Sequence, residues 1–173
     1  MKEVSKVADQ AALIVEQWLK RREKTISVQN VENDPVFQEA DIDLILNNVD
    51  GFTYIEVKGD RYSSTGNFFF ETDSNLERET PGCFLYTKAD WVAYLFMDTG
   101  ELYMLPMPQT RDWFMERIAY FRQRETHTPT SSGHYTTVGR LVPRKRVMDE
   151  VEKAFKVKVD LVLEKDPKQV EAG

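Results

Sequence analysis

Two acids one residue apart, Asp41 and Asp43, are followed by an acid and a base with the same spacing, Glu56 and Lys58. The first pair sits in Asp41-Ile-Asp-Leu-Ile-Leu-Asn47 and the second in Gly51-Phe-Thr-Tyr-Ile-Glu-Val-Lys58. Hard divalent cations such as Mg2+ take oxygen ligands, commonly one or two carboxylates with water and substrate phosphate. Such an ion makes water more acidic and neutralises charge building on a phosphate. A lysine beside it can orient the attacking water or stabilise the transition state. Two or three carboxylates and one ammonium on one face are the minimum equipment for cutting a phosphodiester.

The chain must bring the two runs together. Strand side chains alternate faces, and a two-residue loop at Val49-Asp50 or Asp50-Gly51 makes the runs a hairpin. Asp-Gly is a favoured hairpin dipeptide because type I′ turns need φ > 0. With Val49-Asp50 at the tip, Asp43 lies opposite Glu56 and Asp41 opposite Lys58. With Asp50-Gly51 there, Asp43 lies opposite Lys58. Both registers put the charges on one face and Ile42, Leu44, Ile55 and Val57 on the other. A slip of one residue would flip the faces. The alternative is an ordinary hairpin with a solvated outer face, against which stands the poor fit of Asp to strand interiors.

Asp43, twelve intervening residues and then Glu56-Val57-Lys58 resemble the motif of the PD-(D/E)XK nucleases. Ile42-Asp43-Leu44-Ile45 followed by Tyr54-Ile55-Glu56-Val57-Lys58 is similar to the resolvase-like branch of that superfamily. The resemblance implies a restriction-endonuclease-like α/β core, a mixed sheet of about four to six strands flanked by helices. It implies that Asp43 and Glu56 hold Mg2+ or Mn2+ and that Lys58 assists the attacking water, giving 5′-phosphate ends. The proline of the family's name is absent, since Ala40 precedes Asp41. That leaves Asp41 as an alternative ligand, while the spacing to Glu56 favours Asp43. The implied activity is a metal-dependent DNA endonuclease of phage, mobile-element or recombination and repair type. Its substrate would be duplex or branched DNA, and a homodimer would cut both strands. The competing expectation is a catalytically inactive protein of the same fold, acting as a binding or assembly factor.

Further acids are secondary candidates. In several branches of the superfamily a first-helix Glu joins the site, and Glu16 and Asp9 are available, both opposite the apolar stripe. Glu71 ends Asn67-Phe-Phe-Phe-Glu71, a short strand expected to flank the site. Two basic clusters, Lys20, Arg21, Arg22 with Lys24, and Arg140, Arg144, Lys145, Arg146, are candidate phosphate contacts or solvated helix ends. His127 and His134 lie in a Ser/Thr-rich stretch and lack the partners for a zinc site.

The net charge of −6 works against nonspecific affinity for DNA, which phosphate contacts supply. A hydrophobic share of 41% and an aromatic share of 12% over 173 residues suit one domain with a real core. The single Cys83 excludes an intramolecular disulfide and a cysteine-based zinc cluster, and suits a cytoplasmic setting. No run approaches a membrane span, and Met1-Lys-Glu-Val-Ser lacks the apolar core of a signal peptide. The expected order is a helix over 5–24 with Val4, Val7, Ala11, Ile14, Val15 and Trp18 on one face. A strand over 26–31, a turn at Glu32-Asn-Asp-Pro35 and the hairpin follow. Next come the 67–71 strand, a polar stretch to Gly82, and a second hairpin over 91–105. A helix over 108–124, a mobile 125–137 stretch, a helix over 143–155, an edge strand over 156–163 and a frayed end complete it. In domain terms, 1–125 is a nuclease core, 126–139 a mobile loop, and 140–173 a helix and tail packed on the core.

Overall fold

The computed structural model describes residues 2–165, with side chains from residue 6. Its first elements are α1 (Lys2–Lys20), β1 (Thr25–Asn30), α2 (Pro35–Glu39), β2 (Leu44–Asn48) and β3 (Gly51–Asp60). Then come β4 (Asn67–Asn75), β5 (Thr80–Pro81), α3 (Cys83–Tyr86), β6 (Trp91–Phe96) and β7 (Glu101–Pro106). The last are α4 (Gln109–Arg117), β8 (Arg122–Thr130), β9 (Gly133–Pro143), α5 (Arg144–Glu150) and β10 (Phe155–Lys158). A six-stranded mixed sheet runs β1-β2-β3-β6-β7-β10 and a four-stranded sheet runs β5-β4-β9-β8. In the larger sheet only β3 and β6 are parallel. Parallel neighbours need a crossover, and here the crossover carries β4, β5 and α3.

The parity of β3 sets the layers. Its odd positions Ile55 and Val57 pack with Leu44, Ala93 and Leu95 against Ala11, Ala12, Ile14, Val15 and Leu19 of α1. The one, three and four-residue spacing of these α1 side chains is the helical stripe that buries an amphipathic face. The opposite face of β6 carries Val92, Tyr94 and Phe96 into a second core with Phe68, Phe70, Phe84, Phe114 and Val142. Glu56 pairs with Val92 and Lys58 with Tyr94 across β3–β6, so the even positions of β3 point between the two sheets. The two sheets are tied together by the Tyr94 hydroxyl, which donates to Asp60 (2.8 Å) and accepts from the Phe69 amide (3.1 Å).

Several boundaries differ from those expected. The first strand is set back one residue, to Thr25–Asn30. Pro35 opens α2 instead of ending structure, because Asp34 caps it by accepting from the Val36 amide (3.0 Å) and proline is tolerated at the first helical position. β2 begins at Leu44, not Asp41, and Ile42 leaves the α1 core for a small cluster with Val31 and Ala89. β4 runs on through Asn75. The helix expected over 108–124 stops at Arg117, and 122–130 is strand β8. Residues 126–139, expected as a mobile loop, lie in the β8–β9 hairpin, paired from Arg122↔Leu141 to Thr130↔Gly133. α1 stops at Lys20, and α5 spans Arg144–Glu150. β10 is a short edge strand on β7, as its alternation suggests. The expected frayed end from Asp166 and the Val4 side chain lie outside the described residues. No helix among the described residues is long and apolar enough to cross a membrane.

Candidate active site

The hairpin register resolves the choice of turn. Asn48 pairs with Gly51 and Leu44 with Ile55, so Val49-Asp50 is the loop. The Asn48 carboxamide accepts from the Asp50 amide (2.8 Å), and Gly51 takes φ +128°, a value that disfavours any side chain. Carried back past Leu44, that register places Asp43 beside Glu56. The Asp43 amide donates to the Ile55 carbonyl (2.9 Å) and its Oδ2 accepts from the Val57 amide (2.8 Å). Asp43 therefore straps the start of β2 to β3 while its carboxylate stays next to Glu56.

Asp41 reaches the same place differently. It stands in the left-handed region at φ 54°, which Asp tolerates better than most residues. The Thr87 hydroxyl, itself buried, donates to the Asp41 carbonyl (2.8 Å), and the Lys88 amide donates to that of Ala40 (2.9 Å). Arg111 of α4 in turn donates to the carbonyls of Phe84 (3.2 Å) and Thr87 (2.6 Å). The chain leaving α3 is thus held against Asp41 from both sides.

Glu56 is buried, at 4% exposure, and its Oε1 lies 3.5 Å from the Lys58 ammonium. Its Oε2 and the Asp41 Oδ2 are buried oxygens without a hydrogen-bond partner. Asp41, Glu56 and Cys83 each offer a ligand atom, and the three atoms lie within 4.8 Å of one another. The Lys58 side chain keeps 33% exposure, so it marks the open side of the cluster. Glu71 lies close enough to act electrostatically on Lys58, Asp41 and Cys83.

Burial and crowding set the protonation. Burial pushes Glu56 well up, with Lys58 opposing and Asp43 and Asp41 adding to the rise. Burial likewise raises Asp41 and Asp43, against the pull of Lys58 on the first and of the Val57 amide on the second. Burial also raises the Cys83 thiol well up, against the pull of Lys58. For Lys58 burial favours loss of the proton, but Cys83, Glu71 and Glu56 outweigh it and its pKa goes well up. Neighbouring negative charge thus favours the ammonium over the amine.

The other sequence candidates fall elsewhere. Glu16 pairs with Lys20 (2.9 Å), and it and Asp9 act on Glu32, which Asp43 also raises. In the first basic cluster Arg21 pairs with Glu164, Arg22 lies over the Trp18 ring and Lys24 pairs with Asp50. In the second, Arg140 donates to the carbonyls of Phe121 and Ile118, and Arg144 packs over Phe96 and donates to Ser63. Lys145 pairs with Asp149 and Arg146 with Glu150. Both clusters therefore have intramolecular partners.

Sequence reasoning missed Cys83, Thr87, Arg111 and Glu32. Burial and then Asp43 raise Glu32, which lies just after β1. Its signal was present in the Glu32-Asn-Asp-Pro35 run but reads as an ordinary turn. Cys83 and Thr87 had no local signal, since the crossover alone brings Cys83 to Glu56 and Thr87 to Asp41.

Comparison of the chain with protein-family models, with curated proteins and with solved structures gives no significant match.

Proposed function

We propose that this protein is a metal-dependent nuclease with a restriction-endonuclease-like core, cutting phosphodiester bonds in DNA. The observation that carries the reading is the pair of buried, unpartnered oxygens of Asp41 and Glu56, with Asp43 acting on Glu56 beside them and one ammonium at the rim. Burying a carboxylate without a partner is costly, and a cation of higher charge removes that cost. The topology supports the same reading. A helix, an antiparallel β1–β2–β3 meander and a parallel β6 make a mixed six-stranded sheet of the kind the resemblance implies.

In this reading Asp43 and Glu56 hold Mg2+ or Mn2+, which supplies Lewis acidity to water and to the phosphate. The Val57 amide fixes one Asp43 oxygen, and the Asp43 carboxyl also hydrogen-bonds Glu56. Lys58, kept protonated, is no general base in the resting protein. It donates to a phosphate oxygen or to the oxygen of the attacking water. Glu71 and Glu56 hold that ammonium in place.

The test is nicking of supercoiled plasmid with Mg2+ or Mn2+, comparing wild type, Asp43→Ala and Lys58→Ala. Both variants are expected to lose activity by roughly 10²-fold or more. Failure of the wild type to cut duplex, single-stranded, flap or junction DNA would overturn the enzymatic reading. Equal cutting by Asp43→Ala would overturn the ligand assignment alone. A second reading, an inactive binding or assembly protein of this fold, draws support from the intramolecular partners of both basic clusters and the charge of −6.

A further inference from the structure

The thiol of Cys83 has no part in the chemistry above, yet it faces the same oxygens. We infer that Asp41, Glu56 and Cys83 form a second, overlapping site for a thiophilic divalent cation such as Zn2+ or Cd2+, which competes with the hard-ion site for Glu56.

The ligand set fits. Zinc accepts one thiolate with carboxylate oxygens, at about 2.3 Å and 2.0–2.2 Å, with a fourth position left for water or phosphate. Tetrahedral ligands at those distances stand about 3.6 Å apart, and the three atoms here already lie within 4.8 Å. Contraction of about an ångström, within reach of side-chain rotation, closes the site. Two of the three residues bring buried oxygens that nothing else satisfies, Asp41 Oδ2 and Glu56 Oε2. Soft sulfur selects against Mg2+ and for zinc-like ions. The thiol proton leaves to solvent as the metal–sulfur bond forms.

The backbone holds the thiol there. A Cβ at Gly82 would stand 2.2 Å from the Glu71 carbonyl oxygen, so only glycine lets the chain pass β4 and present Cys83 to β3. The Gly82 amide donates to the Thr72 carbonyl (2.9 Å) at the β4 irregularity between Glu71 and Asp73. Thr87, after α3, holds Asp41. One short segment therefore fixes the thiol and one of the two carboxylates.

The inference rests on the reading of Glu56 as a metal ligand, and its test is separable from activity. Cys83 is the sole cysteine, so the ultraviolet sulfur-to-cadmium charge-transfer band reports on it alone. Folded wild type titrated with Cd2+ is expected to show the band at one ion per chain. Cys83→Ser should abolish the band, and Glu56→Gln and Asp41→Asn should each weaken Cd2+ binding by about tenfold or more. Zn2+ should inhibit Mn2+-dependent nicking in wild type and much less in Cys83→Ser, with melting curves confirming that each variant folds. No band in folded wild type, or a band of equal affinity in both carboxylate variants, would overturn the inference. A band from a protein that cuts nothing would sink the nuclease reading and leave this site standing. Cutting without a band would do the reverse.

Discussion

Two acids among the described residues, the buried Glu56 and the hydrogen-bonded Glu77, sit in unlike settings and behave oppositely. At β3, Glu56 is buried with an unpartnered oxygen, and burial with neighbouring Asp43 and Asp41 drives its pKa well up. Between β4 and β5, Glu77 reaches β9, where Oε1 accepts from the Thr136 hydroxyl (2.6 Å) and Oε2 from its amide (2.8 Å). Those bonds, with His134 nearby, bring Glu77 down to about 2. His127 completes the group through Thr136 Oγ1 (3.1 Å) and stands edge-on to His134, with ring centroids 5.1 Å apart. A carboxylate whose oxygens are both satisfied closes a hairpin. One whose oxygen is buried, crowded and unsatisfied holds its proton more tightly. Hydrogen-bond completeness separates the two more sharply than residue type does.

The largest contrast is expected in activity. Glu56→Gln should cut plasmid DNA roughly 10²-fold or more slowly than wild type, whereas Glu77→Gln should cut at the wild-type rate. Comparable losses in both variants would erase the distinction.

Metal-linked stability comes next. At a Mg2+ concentration of 100 Kd, binding to the folded state alone adds about 2.7 kcal/mol. Urea unfolding with and without Mg2+ should show that gain in wild type and Glu77→Gln but not in Glu56→Gln. A gain surviving Glu56→Gln would place the ion elsewhere.

The smallest contrast lies in the pH dependence without metal. The folded state keeps protons on Asp41, Asp43 and Glu56 that the unfolded chain has released, because their folded pKa values are raised. Those groups therefore lower stability as pH rises from about 4, the unfolded carboxyl range, through the raised folded values. Glu77 has the opposite sign. Its contribution is present above the unfolded value of about 4.3 and is lost as pH falls through about 2. Glu56→Gln should flatten the loss on the alkaline side and leave the acid side unchanged, and Glu77→Gln should do the converse. Denaturation midpoints across pH that move alike in both variants would contradict this.

How much of this the sequence shows depends on the range of the interactions. The alternation of Ile55 and Val57 with Glu56 and Lys58 is local, and β3 keeps the parity it predicts. The turn was legible to within two registers, and tertiary pairing chose between them. β8 was not legible because an exposed edge strand, Arg-Gln-Arg-Glu-Thr-His-Thr-Pro-Thr, has no apolar face to alternate. Arg140 and Arg144 read as a basic patch because their partners, Phe121, Ser63 and Glu101, are distant in sequence. Cys83 carried no signal for the same reason. Its place depends on a crossover that pattern reading crosses without seeing where it leads.

That crossover also orders the assembly of the site in time. β1, β2 and β3 are complete in the chain by Asp60 and β6 by Phe96, but β4 pairs along its length with β9, which begins only at Gly133. Distant pairings form after near ones because the intervening loop must first be closed. The wall bearing Glu71 and Cys83 is therefore predicted to close last during synthesis. A nascent chain would meet the ions of its surroundings with carboxylates first and sulfur second. Pulse-labelled hydrogen exchange that found β4 amides protected before those of β6 would reverse that order.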